Sequence, residues 1–277
     1  KQNFVKKKGD DFFIQTGEWN VNHPIIIKNN RNLIIEKNTK LKFSDNSYIF
    51  LDGGSLIVKG ENENEVILTS KNKLWKGIYI NNNNNPNNQS NLNFTIIKNV
   101  GYFEGKHTSL TGSVNFYRSN IKIQNSQFIG NQSEDALNVT ESNLDIKNCK
   151  FKNISSDALD SDFSNINIQN VRFEDIYGDA IDTSGSIVKI KNVITRNVGD
   201  KSLSAGEESF IKGQKLSFKN SRIGVAAKDN SEVNLEELEI INSKVADILS
   251  YRKKHIFSYG KIFLKDFSIN PEKIFSE

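Results

Sequence analysis

Apolar residues in this chain recur in short alternating runs rather than on helical faces. Ile121-x-Ile123, Leu144-x-Ile146, Ile166-x-Ile168 and Val188-x-Ile190 alternate with polar residues, the period of a strand with one buried face. No window carries the 3.6-residue period of a long amphipathic helix. The runs repeat. From Ser119 to Asp229, Leu137, Leu159, Ile181, Leu203 and Val225 follow one another every 22 residues, and Asn138, Asp160, Asp182 and Ser204 do the same.

A period of this length marks a solenoid, because one unit cannot bury its apolar side without a stacked neighbour. About 22 residues accommodate three short strands and three corners, one coil of a parallel β-helix. The predicted fold is therefore all-β, a single-domain right-handed parallel β-helix over 1–277, its hand following the general rule for parallel connections. Asn125, Asn148, Asn170 and Asn192 share one corner position, where their amides are expected to bridge backbone groups of neighbouring coils. Phe128, Phe151 and Phe173 are in register and are expected to stack inside the core. About a dozen coils at about 4.8 Å each would build a rod of roughly 50–60 Å.

Residues 119–229 are the most regular. Lys1 to Asp11 reads as a polar, frayed start, and residues 12–24, with Phe12, Phe13 and Trp19, as an N-terminal cap region. Residues 248–277 read as a C-terminal cap region. Three stretches read as excursions able to wall a groove: Asn81 to Asn93, Tyr102 to Gly112 and Glu207 to Lys215.

Composition narrows the function. The chain has 277 residues, 37 basic against 33 acidic, and a net charge of +4. The basic residues form no aromatic-interleaved run, so no nucleic-acid partner is expected. The single cysteine, Cys149, reads as a small packing residue and excludes an intrachain disulfide. No run of 18 apolar residues appears, so no membrane span is expected in this chain. The absence of Met, even at position 1, reads as a mature protein or part of a larger polypeptide, expected as a monomer if it stands alone. His23, His107 and His255 stand in unrelated contexts, and no Ser-His-Asp arrangement, HExxH or phosphate-cradling glycine loop is present.

The candidate chemistry is acidic. Asp135, Asp157 and Asp179 form one 22-residue column, and Asp160 with Asp182 a second, with Asp162 beside them. Lys201, Glu207, Lys228 and Asp229 fall in the next coils on the same side. Stacked carboxylates about 5 Å apart repel. The repulsion raises the pKa of one of them or draws in a cation. A carboxylate pair is also the apparatus of glycoside hydrolysis. An isolated Asp at such a corner would instead cap local amides. The candidate catalytic residues are Asp157, Asp179, Asp182, Lys201 and Lys228; Asp160, Asp162, Tyr117, Tyr177 and Glu207 are candidate substrate contacts. No cofactor is certain. Asp157, Asp160, Asp179 and Asp182 make a candidate Ca2+ site.

The succession SSDALD, YGDAIDTSG, GDKSLSAGE, GVAAKD resembles the central coils of the polygalacturonase-like pectin hydrolases. By position, Asp157 matches that family's first aspartate and Asp179 the second member of its Asp-Asp pair. Gly178 stands where the pair's first member, the usual general acid, falls. Lys201 replaces the family's histidine, Ala226 its arginine, and Lys228 matches its lysine. The chain is also similar to the wider group of β-helix proteins that includes polysaccharide lyases. There, aspartates hold Ca2+ against a uronate and a Lys or Arg removes the proton α to the carboxylate. The resemblance implies a carbohydrate-binding or carbohydrate-processing module for an extracellular or cell-surface polysaccharide, as lyase or glycosidase, located extracellularly, in the periplasm or on the cell surface. The missing hydrolase residues favour the alternative, a non-catalytic structural or adhesion rod within a larger surface protein.

Overall fold

The computed structural model describes residues 3–83, 87–104 and 109–276. The only helical element among them is a 3-10 turn at Pro271–Lys273, and no helix is long and apolar enough to cross a membrane. The chain divides into two compact units, Lys1–Asp145 and Ile146–Glu277. Each is a parallel β-solenoid matching the expected right-handed β-helix.

In the first unit, successive coils pair in parallel register: Trp19 lies beside Leu41, Leu33 beside Leu56, and Val114 beside Leu137. The core is a file of fully buried Leu, Ile and Val, closed by Trp75 stacked on Phe43 at 4.0 Å. The Trp75 indole N–H is satisfied by the Lys98 carbonyl at 3.0 Å. The polar start is ordered rather than frayed: Val5–Lys8 forms an antiparallel hairpin with Asp11–Ile14, and Phe4 is buried against Trp19. Hairpin hydrogen bonds and one aromatic stack outweigh the polar composition.

Of the two excursions expected in this unit, one returns to the coil by Gln89 and the other leaves it as a hairpin, with residues 84–86 and 105–108 outside the described residues. Gln89–Asn93 is a strand of the coil, paired with Asn120–Gln124, because its Ser90 and Leu92 alternate inward. Phe103–Glu104 and Ser109–Leu110 form a two-stranded hairpin, with the Phe103 ring edge-on to Tyr48 and Tyr79. His107 lies outside the described residues.

The second unit has three faces per coil. The first is built by Asp157–Asp162, Ile181–Ser184, the ends of Ile187–Gly206 and Phe210–Lys228, and Ala246–Tyr251. The second carries Ile187 to Lys191, Phe210 to Gln214, Glu232 to Glu236 and Lys261 to Lys265 in register. The third runs through Val171, Val193, Leu216 and Leu238. Within Asn165–Ile176 the chain alternates inward at Ile166, Ile168, Val171, Phe173 and Ile176, and turns between faces at Asn170 and Asp175. Those corners need a left-handed backbone, which Asn and Asp tolerate best after Gly. Asn148, Asn170 and Asn192 have φ of 54°, and Asp175, Asn197, Asn220 and Asn242 have φ of 58°, 56°, 58° and 59°.

The corner amides bond to one another from coil to coil. The Asn192 amide donates to the Asn170 oxygen at 2.8 Å, and Asn170 to Asn148 at 3.0 Å. A second ladder runs from Asn220 to Asn197 to Asp175 at 3.1 and 2.9 Å. Inside, Phe151 and Phe173 stack at 4.9 Å, as expected, and Cys149 is buried as a packing residue with its thiol toward the Lys147 carbonyl. Glu207 to Lys215 is not an excursion. Glu207 and Glu208 make a tight left-handed turn, and Phe210 onward is strand, paired on both sides.

Asn170→Ala removes two ladder bonds and places a Cβ-bearing residue without a local polar partner at positive φ. It is expected to destabilise the protein by about 1–3 kcal/mol, and Asn170→Gly by less, since glycine relieves the backbone conflict. Denaturant unfolding of the three proteins checks this; equal losses in Ala and Gly would show that backbone strain plays no part.

Candidate functional site

The acidic columns converge on the first face of the second unit. Leu159 pairs with Ile181 and Asp160 with Asp182, so the inward residues fill the core and the carboxylates line the outside. One oxygen each from Asp157, Asp179 and Asp182 lies within 4.8 Å of the others, a set able to hold a metal ion. Asp160 lies beside Asp182 in register but outside that set.

Two of these carboxylates are also part of the coil-to-coil bonding. Asp157 Oδ1 accepts the Asp179 backbone N–H at 2.7 Å, and Asp179 Oδ1 accepts that of Lys201 at 2.8 Å. Each aspartate thus ties its own coil to the next. Asp179 is 5% exposed, and burial pushes its carboxyl up to about 7, against the opposing pull of Lys201. Burial also raises Asp157 and Asp162 above the ordinary carboxylate range.

Two lysines answer the acids. Lys201 Nζ lies 3.4 Å from both Asp179 oxygens and 2.5 Å from Asp200 Oδ2. Asp200 is held in turn by Arg222 at 3.0 Å. Burial favours the neutral amine, but Asp179 and Asp200 outweigh it and hold Lys201 protonated above its ordinary range. Lys228 is 6% exposed at its side chain and reaches back two coils, with Nζ at 3.0 Å from Ser204 Oγ and 3.5 Å from Asp182 Oδ1. It can do so because its stem lies over Gly206, where a Cβ would stand 2.6 Å from Lys228 Cε. Burial again opposes the charge on Lys228, and Asp182 more than restores it. Both lysines are therefore poor bases and good fixed cations.

Tyr251 completes the face. It pairs in register with Lys228, is half-buried, and its hydroxyl is raised above the ordinary range by burial although both lysines pull it down. Glu207, at the tight turn, accepts from Ser184 and bonds Lys254 at 2.5 Å, which holds its carboxyl below the ordinary range despite burial.

Among the expected site residues, Asp157, Asp160, Asp162, Asp179, Asp182, Lys201, Lys228 and Glu207 share this face or its bordering turn. Tyr177 is 76% exposed and lines a separate depression with Asp175, Asn197, Asn220, Asn242 and Lys244. Tyr117 lies in the first unit, under the Arg118 guanidinium at 5.1 Å. Asp135 is also in that unit, buried and accepting from the Asn138 amide. Sequence reasoning missed Asp200 and Tyr251. Asp200 carried a signal, its place next to Lys201; Tyr251 lay outside the regular repeat and carried none.

The geometry also explains the departures from the hydrolase pattern. A Cβ on Gly178 would stand 2.0 Å from Asp157 Oδ1, so an aspartate there is sterically excluded while Asp157 keeps its backbone bond. Ala226 is fully buried beside Ile223 and Ala246, under Leu249 and Tyr251, which leaves no space for an arginine.

Fold and site together define a parallel β-helix with a mixed acidic and basic face. No family model matches the chain, and no curated protein sequence matches it. Among solved structures, a mutant of the periplasmic alginate epimerase AlgG aligns with 100% of this chain and 79% of its own, at 14% identity and a TM-score of 0.50. The alginate lyase from Paenibacillus sp. str. FPU-7 aligns with 88% of this chain and 99% of its own, at 10% identity and a TM-score of 0.47. At these identities the likeness is one of fold.

The Asp179 carboxyl gives the site a pH signature. Between the ordinary value of 3.8 and about 7, the folded state binds a proton that the unfolded state releases. Linkage then makes this group's contribution to stability fall as pH rises through that window. The stability of Asp179→Asn relative to the original protein is therefore expected to increase from pH 4 to 7. Denaturant melts across that range check this; parallel profiles for the two proteins would refute it.

Proposed function

We propose that the chain is a carbohydrate-processing β-helix module that acts on an acidic extracellular or cell-surface polysaccharide at the Asp157–Asp179–Asp182 face. The observation that carries this reading is Asp179: nearly buried, protonated to about neutral pH, and within reach of two further carboxylates and a fixed ammonium. Perturbed carboxyls flanked by cations on one solvent-facing surface are apparatus for proton transfer next to a charged substrate.

The roles follow from exposure. Asp182 is 24% exposed at its side chain against 7% for Asp179, and unlike Asp157 it is not shown holding the next coil's backbone N–H. Lys228 and Lys201, held protonated, neutralise a uronate carboxylate rather than accept its α-proton. In a β-elimination, Asp182 takes the proton α to the carboxylate, the C–C double bond forms, and the glycosidic C–O bond breaks. The leaving oxygen takes the proton of Tyr251. Asp157, Asp179 and Asp182 would be the residues to hold Ca2+, which would supply further charge neutralisation; Asp182 would then be a ligand and not the base. Carboxylate oxygens within 4.8 Å are closer than the roughly 6.5–9.5 Å of inverting glycosidases, which disfavours that mechanism. The likeness of fold to an alginate epimerase puts uronate polymers first among the substrates.

A second reading, a non-catalytic structural or adhesion module, is favoured by one observation: Asp157 and Asp179 each hold the next coil's backbone N–H. A turnover screen with and without Ca2+ separates the two. With alginate, polygalacturonate and glycosaminoglycans, ultraviolet absorbance from unsaturated uronate is expected, reduced at least about 100-fold in Asp182→Asn. New reducing ends without absorbance would replace elimination by hydrolysis. Silence on every polymer from the folded protein would leave the structural reading standing.

A further inference from the structure

The second face of the C-terminal unit, one corner away from the acidic face, carries a groove of about 580 Å³ that the proposed chemistry does not use. Its rims are in-register columns. Lys189 pairs with Lys212, followed by Asn234 and Phe263; Lys191 pairs with Gln214, followed by Glu236 and Lys265. Lys189, Lys191 and Lys212 are exposed, and none of the three makes a salt bridge within the described residues. Glu236 is engaged by Lys265 at 2.5 Å, so the groove's one carboxylate is already neutralised.

The third face also carries in-register like-charge pairs, Lys150 with Arg172 and Arg196 with Lys219, but there carboxylates lie within reach. On the third face Lys150 meets Glu174 at 2.6 Å and Lys219 meets Glu239 at 3.3 Å, each across neighbouring coils. Like charges directly opposite in a sheet are destabilising. The Lys189–Lys212 pair therefore stores a repulsion that an external anion would relieve. Phe263, 52% exposed at the end of the first column, adds an apolar platform, and the Lys212 ammonium lies 5.2 Å above the Phe210 ring.

We propose that this groove is a second, non-catalytic binding site for a linear acidic polysaccharide. A polymer with a carboxylate on each sugar and apolar ring faces matches ammonium groups at the coil spacing of about 4.8 Å beside one aromatic platform. A single-stranded nucleic acid would instead call for a succession of stacking rings, and the groove offers only Phe263. The choice of a uronate rests on the proposed function; the anionic preference of the groove does not. The site would hold the chain of the polymer while the neighbouring face works on it.

The test is titration of polygalacturonate and alginate into the whole protein at low and physiological salt, with single-stranded DNA and a neutral glucan as competitors. The variants are Lys189→Glu, Lys189→Glu with Lys212→Glu, and Asp182→Asn. Uronate affinity is expected to fall about tenfold in Lys189→Glu, while its melting temperature holds or rises, because the exchange turns a like-charge pair into an opposite-charge one. The double variant is expected to bind at least as weakly, and Asp182→Asn to keep the lysine-dependent binding. Unchanged uronate affinity in both lysine variants would overturn the proposal, as would DNA binding tighter than uronate with the same lysine dependence. Lysine-dependent uronate binding by a protein that turns over no polymer would defeat the proposed function and leave this site intact.

Discussion

The parallel register, which lays each residue beside the one a coil further on, is the constraint from which the other features of the second unit derive. It has two opposite consequences. Inward, it stacks like on like to advantage: Ile166 on Val188 and Phe151 on Phe173, all buried. Outward, it stacks like on like at a cost wherever the repeated residue is charged. Asp157 beside Asp179 and Lys189 beside Lys212 are products of one rule applied to two faces.

The two faces resolve that cost differently. On the acidic face the relief is internal. A backbone N–H from the next coil answers one oxygen of Asp157 and of Asp179, burial keeps a proton on Asp179 to about pH 7, and Lys201 and Lys228 bring charge from later coils. Each device leaves a trace useful for chemistry: a proton held near neutrality, and cations that cannot readily become neutral. On the basic face no carboxylate partner is found for Lys189, Lys191 or Lys212 among the described residues, and the unresolved repulsion is the proposed source of affinity for an anion. Buried charge compensated from within suits catalysis, whereas exposed charge left uncompensated suits binding.

What was legible in the chain follows the same division. The 22-residue period announces the register, so inward residues such as Leu159 and Ile181 and the corner asparagines could be placed before any coordinates. The acidic columns were visible for the same reason, since Asp157 and Asp179 repeat in phase. Interactions that leave the period were not. Lys228 crosses two coils to Asp182 by lying over Gly206, and Tyr251 enters from a coil after the repeat has decayed. The lysine groove escaped because Lys189 and Lys212 stand 23 residues apart, one more than the period, and their column continues with a different residue type at Asn234. Polar composition misled at Phe4 to Lys8 and at Gln89–Asn93, where hairpin and coil pairing override it.

One glycine shows how this face diverges from the pectin-hydrolase pattern it resembles, and a second how the lysine it shares with that pattern is placed. At Gly178 the missing side chain admits the Asp157 carboxylate to the Asp179 backbone, so the position assigned to a general acid is exchanged for a tie between coils. At Gly206 the missing side chain admits the Lys228 stem, so a cation is delivered to Asp182 from two coils away. The first glycine thus removes a catalytic group, and the second lets a lysine the pattern shares reach a carboxylate. The face lacks the pattern's acid at position 178, but Asp179 keeps a proton to about pH 7, and Lys201 and Lys228 hold fixed positive charge beside Asp179 and Asp182. Under the proposed elimination, it is those fixed cations that would stabilise the carboxylate of an acidic sugar as negative charge builds on it.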